Sequence, residues 1–225
     1  MYYGYDGTLS APFIRPDGDA SLEDRSSDPT APTSFPGEAP PEWERKVAVE
    51  GSLKRLRLER IDVYQLHIPD PAVSFDASME TLARLREQGK IRRIGLSNVT
   101  LEHLERARKI VPIVSVQNRY SFVDREWDYL LNHCEKDQIA FIPWAPMGQN
   151  RQANEMLEKA ANEIGATPLQ VALAWLLRRS SVALPIPGTS TVAHVEENVA
   201  AAGITLPDEL FKELSEVTPP PASLR

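Results

Sequence analysis

Cysteine is almost absent from this sequence, since Cys134 is the only one among 225 residues. A lone cysteine cannot close an internal disulfide, which favours a reducing, cytoplasmic location. No apolar run approaches the roughly 20 residues that a membrane helix needs, so we expect no membrane partner. The first residues lack both the basic and the apolar segment of a secretion signal. The absences together favour a soluble cytoplasmic protein.

Basic residues are also in short supply, with 25 Lys and Arg against 32 Asp and Glu and a formal net charge of −7. Proteins that bind nucleic acids through phosphate contacts concentrate positive charge, so we expect no nucleic-acid partner. The hydrophobic fraction of 42% is typical of a globular protein with a real core. An enzyme or a small-ligand binder is the class that remains.

Proline marks the ends of the chain. The stretch before residue 42 mixes Ser, Asp, Gly and Thr with Pro12, Pro16, Pro29, Pro32, Pro36, Pro40 and Pro41. Such a composition buries too little apolar surface to offset the entropy lost on ordering. We therefore predict a Pro-rich flexible arm over 1–41, a regular domain over 42–218, and a tail over 219–225 that follows a run of prolines.

The regular domain alternates short apolar strands with helices. Five strands are predicted, at Ile61–Leu66, Ile91–Leu96, Ile113–Gln117, Ile139–Pro143 and Val182–Ile186. Ser74 is expected to cap the helix after the first strand, and Thr167-Pro168-Leu169-Gln170 predicts a strong helix start with a capping box. Strand–helix alternation of this kind predicts a parallel α/β sheet with helical crossovers.

Two α/β architectures compete for this pattern, an open doubly wound sheet and a closed eight-unit barrel. No Gly-x-Gly-x-x-Gly follows any predicted strand, which weakens the dinucleotide-binding form of the open sheet. A full barrel takes about 250 residues. The regular domain is long enough for about five strand–helix units and too short for eight.

Ligand-type side chains stand at the end of every predicted strand. They are His67 after the first, Ser97 and Asn98 after the second, Gln117 at the third, Trp144 after the fourth, and Gly188, Thr189 and Ser190 after the fifth. Active groups of parallel barrels project from these carboxyl ends. A repeat with a purely structural role would not need them, so the pattern predicts one site at this end.

Three segments resemble signatures of the aldo/keto reductase family, and the resemblance runs from about Trp43 to Val217. The segments are Asp62-Val63-Tyr64-Gln65-Leu66-His67, Ile94-Gly95-Leu96-Ser97-Asn98, and Pro187-Gly188-Thr189-Ser190 with Glu197-Asn198. Their order and approximate separation also match. The resemblance implies a (β/α)8 barrel of the TIM type, here incomplete with about the last five units. It also implies metal-free, NADPH-dependent interconversion of carbonyls and alcohols by hydride transfer.

The resemblance also assigns residues at the reacting end of the cofactor. Ser97, Asn98 and Gln117 would hydrogen-bond the nicotinamide carboxamide, and Trp144 would stack on the nicotinamide face. His67 matches the family's histidine that orients the substrate carbonyl. The residues alone leave plainer readings open: His67 as a strand-end histidine without a ligand, Ser97 and Asn98 as caps of the next helix, and Trp144 as core packing.

The phosphates and adenine of NADP would lie near the start of a later helix, at Gly188, Thr189, Ser190, His194, Glu197 and Asn198. The first three lead into a helix N-terminus, where free N–H groups and the helix dipole favour a phosphate. His194 and the two hydroxyls are the nearest candidates for the 2′-phosphate. The last two residues would face the adenine.

The family's remaining catalytic groups are a Tyr acid with a Lys and an Asp that tune it, and they belong to three earlier strands that nothing here resembles. Loss of the proton donor costs on the order of 10²-fold or more in rate. We therefore predict little or no reductase activity for this chain alone. The alternative is a non-catalytic remnant that binds a nucleotide cofactor or a protein partner. Five of eight units also leave open barrel edges, so we expect self-association through them.

Overall fold

The computed structural model describes residues 42–71, 73–146 and 151–216, with side chains from residue 48 onward and without those of 151–153. The predicted arm over 1–41 and the tail over 219–225 lie outside these residues. No helix in the described ranges is long and apolar enough to cross a membrane.

Helices and strands alternate through most of the described chain. The strands are β1 (Ile61–Leu66), β2 (Ile91–Ser97), β3 (Ile113–Gln117) and β4 (Ala140–Phe141). The helices are α1 (Glu42–Leu56), α2 (Phe75–Glu87), α3 (Leu101–Ile110), α4 (Asp128–Lys136), α5 (Arg151–Ile164), α6 (Pro168–Arg179), α7 (Val192–Ala200) and α8 (Asp208–Ser215). A 3-10 turn at Ala201–Gly203 joins the last two helices.

The four strands form one parallel sheet in the order β1-β2-β3-β4. Tyr64 pairs with Ile94, Leu96 with Val116, and Val116 with Phe141. Sequential parallel neighbours joined by helices are the arrangement of a (β/α) barrel, and this sheet is a part of one. The carboxyl ends of all four strands therefore meet at one edge.

The fifth predicted strand is wrong in its extent. Around Val182–Ile186 the structure has a single parallel bridge, Ala183 to Phe141. The Phe141 N–H donates to Val182 O at 2.8 Å, and the Leu184 N–H donates to Phe141 O at 2.8 Å. Pro185 and Pro187 follow, and a proline has no N–H with which to extend the ladder. The segment still lies beside β4 where the fifth strand was expected.

The predicted helix caps are confirmed. Ser74 Oγ accepts the Ala77 N–H at 3.3 Å at the start of α2. Thr167 and Gln170 form the reciprocal capping box of α6, with bonds of 3.3 and 3.0 Å, and Pro168 is the first helical residue. These local signals fix where the two helices begin.

An aromatic cluster anchors the part of the core behind β3 and β4. Trp175 of α6 is fully buried and lies 6.3 Å from the ring of Tyr120, centroid to centroid. Tyr120 in turn meets Phe141 edge-on at 5.7 Å. Trp175 Nε1 also donates to Ser215 Oγ of α8 at 2.9 Å. Rings of this size each bury 150–250 Å². The cluster therefore fixes the β3 and β4 ends relative to the helices.

Gly95 has a packing reason to be a glycine. Gln65 Nε2 of β1 donates to Ser115 Oγ of β3 at 3.2 Å, a bond that spans β2. A Cβ on Gly95 would lie 2.2 Å from Ser115 Oγ and 2.9 Å from Gln65 Cγ. The missing side chain lets the two neighbours meet across the strand.

Candidate active site

The turn after β2 is the centre of the site. Asn98 has a φ of +55°, a left-handed conformation that Asn tolerates better than most residues. Its N–H donates to Gln117 O at 2.9 Å, which carries the β2–β3 ladder one residue beyond the strand. The cap of α3 is Thr100. The reading of Ser97 and Asn98 as helix caps is therefore wrong.

The Asn98 side chain connects three of the predicted residues. Its Nδ2 donates to His67 O and to Ser97 Oγ, both at 3.1 Å. Its Oδ1 accepts the indole N–H of Trp144, also at 3.1 Å. One amide thus links the ends of β1, β2 and β4. We call His67, Ser97, Asn98, Gln117 and Trp144 the strand-end cluster.

Exposure differs within the strand-end cluster. Ser97 is only 1% exposed and lies behind Asn98. The other members, His67, Asn98, Gln117 and Trp144, are half-buried. The half-buried side chains are the ones that a ligand can reach directly.

Trp144 is fixed through its backbone as well as through its indole. Its N–H donates to Asn118 O at 3.1 Å, and its carbonyl accepts the Tyr120 N–H at 3.2 Å. The Arg119 guanidinium lies 5.8 Å from the ring centroid and pairs with Asp124 at 3.0 Å. The indole is therefore placed by the end of β3 and is half-buried, which differs from plain core packing.

Asn118 belongs to this arrangement, and sequence reasoning missed it. It is fully buried, and its side chain pairs with both backbone groups of Val99. Its place directly after Gln117, at a strand end, was the available signal. An internal amide with no obvious ligand role looks like a surface or turn residue in sequence, because nothing local shows its burial.

The second group of predicted residues surrounds the start of α7. The N-cap is Thr191, whose Oγ1 accepts the His194 N–H at 3.4 Å. Thr189 Oγ1 accepts the Thr191 N–H at 3.2 Å. Gly188, Thr189, Ser190 and His194 are exposed. Thr191 was also missed, although a Thr before a helical segment is a standard cap signal.

An open groove lies between α7, α6 and the segment after Ala183. Its volume is about 270 Å³, and its lining residues are Leu173, Leu177, Pro185, Pro187, Thr189, Val195, Asn198 and Val199. Among the residues that the structure describes, Asn198 Oδ1 is buried and has no hydrogen-bond partner. Glu197, half-buried, accepts a bond from Gln170 Nε2 through its backbone carbonyl at 3.1 Å. We call this the α7 groove.

The strand-end cluster and the α7 groove lie at the same edge of the sheet. Phe141 pairs with Ala183, and the two segments run parallel from that bridge. Trp144 comes three residues after Phe141, and the loop to α7 follows Ala183. A ligand that extends along the strand ends would meet both.

Neither of the two buried tyrosines can stand in for the family's acid. Tyr120 is 1% exposed, and its hydroxyl donates to Asp128 Oδ1 at 2.5 Å. Tyr64 is also 1% exposed. Burial raises the pKa of both phenols well above the ordinary value. Burial likewise raises the pKa of the Cys134 thiol, which is part of the hydrophobic core, to about 12. Within the described ranges, no three His, Cys, Asp or Glu residues form a potential metal cluster.

Comparison with known proteins establishes the family. The sequence model that represents the aldo/keto reductase family matches residues 42–219 of this chain. The chain belongs to the aldo/keto reductase family. It is 42% identical, over 167 residues, to an uncharacterized oxidoreductase of Schizosaccharomyces pombe, covering 73% of this chain and 55% of that protein. It is 40% identical to pyridoxine 4-dehydrogenase of Escherichia coli over 191 residues, 82% of this chain and 66% of that one.

A solved aldo/keto reductase shares the fold. The structure from Klebsiella pneumoniae in complex with NADP and acetate has a TM-score of 0.69 and 29% identity, covering 79% of this chain and 65% of that one. The partial barrel seen here is thus part of the family's TIM barrel. The chain spans between 55% and 66% of the length of the curated relatives it matches.

Proposed function

We propose that this chain is the cofactor-binding part of an NADP(H)-linked oxidoreductase that interconverts small carbonyl compounds and alcohols. The observation that carries this proposal is the hydrogen-bonded Asn98 amide, which gathers the ends of three strands around one point. A hydrogen-bonded amide among half-buried side chains at the strand ends is more typical of a ligand site than of core packing. The NADP complex of the Klebsiella pneumoniae relative supports the choice of cofactor.

At the nicotinamide end, the donors and acceptors suit a carboxamide. Both Nδ2 hydrogens of Asn98 are used within the protein, whereas its Oδ1 has a second lone pair for an incoming N–H. Gln117 provides a half-buried amide beside it, and Ser97 supports the pair from behind with its hydroxyl. The flat indole of Trp144 is the surface on which the nicotinamide ring stacks.

At the other end, the α7 groove suits an adenosine phosphate. Gly188, Thr189 and Ser190 lead to the N-terminus of α7, where N–H groups and the helix dipole attract an anion. A purine amino group would satisfy the orphaned Asn198 Oδ1 between apolar groove walls. In this proposal His194 lies near the 2′-phosphate and Glu197 beside the adenine.

When bound, the cofactor would supply or accept the hydride. His67 would then orient the substrate carbonyl by donating a hydrogen bond to its oxygen. The developing alkoxide also needs a proton from a positioned acid. Tyr64 and Tyr120 are buried, so neither serves. We therefore expect little carbonyl turnover from these residues alone.

The same buried tyrosines favour a second candidate, a non-catalytic remnant that keeps the cofactor site or binds a protein partner. Self-association fits either candidate. Exposed apolar side chains lie at both ends of the sheet and outside the lining of the α7 groove: Leu58, Val63 and Ile68 at β1, and Leu184 and Val192 beside the last bridge. A second copy would cover them, and sedimentation velocity would then show a dimer.

Titration of the purified protein with NADPH tests the proposal, followed by NADPH fluorescence and by calorimetry. We expect saturable one-to-one binding. Trp144→Leu removes the stacking surface and is expected to weaken binding about tenfold, since an aromatic pair contributes about 0.5–1.5 kcal/mol beyond area. Trp127→Leu, at the start of α4, is the matched control and leaves affinity unchanged. A folded protein that does not bind NADPH would refute the proposed function.

A further inference from the structure

The Asn118 side chain makes two hydrogen bonds to the backbone of one residue. Its Nδ2 donates to Val99 O at 2.8 Å, and its Oδ1 accepts the Val99 N–H at 3.1 Å. Both Asn118 and Val99 are fully buried. The side-chain amide therefore pairs with one residue as a neighbouring strand would. The two partners also fix the amide's orientation, because a flip would oppose donor to donor and acceptor to acceptor.

This contact stands where the β2–β3 ladder has ended. Asn98, directly before Val99, is held at a φ of +55°. The chain turns there, so the backbone groups of Val99 leave the strand ladder and would be buried without partners. Unpaired buried backbone groups are rare because they are costly. Asn118 satisfies both and so stabilises the turn in this one conformation.

Asn118 also reaches the other side of the site. Its backbone carbonyl accepts the Trp144 N–H at 3.1 Å. The Trp144 indole in turn donates to Asn98 Oδ1. One buried residue thus sets the backbone position of the indole and the turn that carries its acceptor.

We propose that Asn118 is a positioning residue that aligns Asn98 and Trp144 for the nicotinamide end of the cofactor. This inference rests on the proposed function for its ligand, while its structural part stands independently. Asn118 is buried beneath the turn, so it acts through its neighbours and does not touch the cofactor.

Two substitutions test this role. Asn118→Leu removes both side-chain bonds at similar volume. Asn118→Asp keeps the acceptor for the Val99 N–H, but its second oxygen faces the Val99 carbonyl and repels it when ionised. Protonation restores a donor, and burial moves that protonation toward neutral pH. Ser115→Ala is the control, since it breaks the buried Gln65 bond without touching the turn.

The first measurement needs no cofactor. It follows the indole N–H resonance of Trp144, assigned by its loss in Trp144→Phe. We expect the resonance to move in both Asn118 variants, to return toward the parent position on acidification of Asn118→Asp alone, and to stay in place in Ser115→Ala. An unmoved resonance in folded Asn118→Leu, or in Asn118→Asp at pH 8, would overturn the positioning role. If Asn118→Leu does not fold, the comparison of Asn118→Asp at pH 8 with the same variant at low pH carries the test.

The second measurement compares NADPH with adenosine 2′,5′-bisphosphate, which carries only the adenosine end. We expect NADPH to bind about tenfold more weakly to Asn118→Asp at pH 8, with recovery at lower pH, and the bisphosphate affinity to be unchanged. Equal losses for both ligands would show general damage and overturn the inference. If the parent protein binds neither ligand, the proposed function fails, whereas the indole resonance still decides the role of Asn118.

Discussion

The strand-end cluster and the α7 groove differ in what holds their side chains. Asn98 reaches His67 across 31 residues of sequence and Trp144 across 46. Around the start of α7, the hydrogen bonds join residues two or three apart. The first region is thus held by bonds between distant segments. The start of α7 is held mainly by local capping, and one longer-range bond, from Gln170 Nε2 to Glu197 O, ties the helix to α6 further along. A cofactor would meet a nicotinamide end held by long-range bonds and an adenosine end whose first residues are held by short-range ones.

The largest expected difference concerns stability. Leu96 lies directly before Ser97 and is fully buried, whereas Val192 of α7 is 75% exposed. Leu96→Ala removes buried methyl groups and leaves a cavity, so we expect the free energy of unfolding to fall by about 2–5 kcal/mol. Val192→Ala is expected to change it by less than about 0.5 kcal/mol. Urea denaturation measures both. Similar losses would mean that the α7 region is as tightly packed as the strands.

Two glycine substitutions test the same difference in packing between the strands and the α7 region. In Gly95→Ala the new Cβ would lie 2.2 Å from Ser115 Oγ, whereas a Cβ on Gly188 would meet nothing within 4 Å. We expect Gly95→Ala to cost about 1–3 kcal/mol through overpacking. Gly188→Ala should leave the melting temperature unchanged. Calorimetric melting of the two variants gives the comparison, and a stable Gly95→Ala would show that the Gln65–Ser115 bond yields easily.

The same contrast explains how far the sequence could predict the fold. Short apolar runs gave β1 and β3 with the observed bounds, and side-chain caps located the starts of α2 and α6, because those signals are local. The fifth strand was overestimated. Its apolar run is real, but Pro185 and Pro187 prevent the ladder from extending, and only the bridge at Ala183 forms.

The prediction of site residues also succeeded mainly where the signal is local and failed where it depends on a distant partner. The residues named from the family resemblance do gather at one edge of the sheet, although their roles stay predictions. Asn118 was missed because its importance depends on Val99, a partner 19 residues away in sequence. Thr191 was missed although its cap signal is local, because the family signature contains the preceding Gly188-Thr189-Ser190 instead. The place of Asn118 at a strand end was a signal for the site, but its buried contact with Val99 leaves no period or motif in the sequence.

A small gain in stability is the expected change that is most informative about ligand binding. Asn198 Oδ1 is buried without a partner among the described residues. Asn198→Leu removes that uncompensated oxygen, so we expect the cofactor-free protein to be unchanged or more stable by up to about 1 kcal/mol. NADPH affinity should fall at the same time, because the adenine loses its acceptor. Chemical denaturation and calorimetric titration measure the two effects.

If Asn198→Leu makes the cofactor-free protein more stable and weakens NADPH binding, Asn198 serves ligand binding and destabilises the protein without ligand. Val195→Ala, elsewhere in the groove lining, is the control that changes apolar surface without changing an acceptor. A clear loss of stability in Asn198→Leu would contradict the idea, because it would mean that Oδ1 already has a partner, such as a bound water. The α7 groove would then be as preformed as the strand-end cluster, and the contrast between the two regions would disappear.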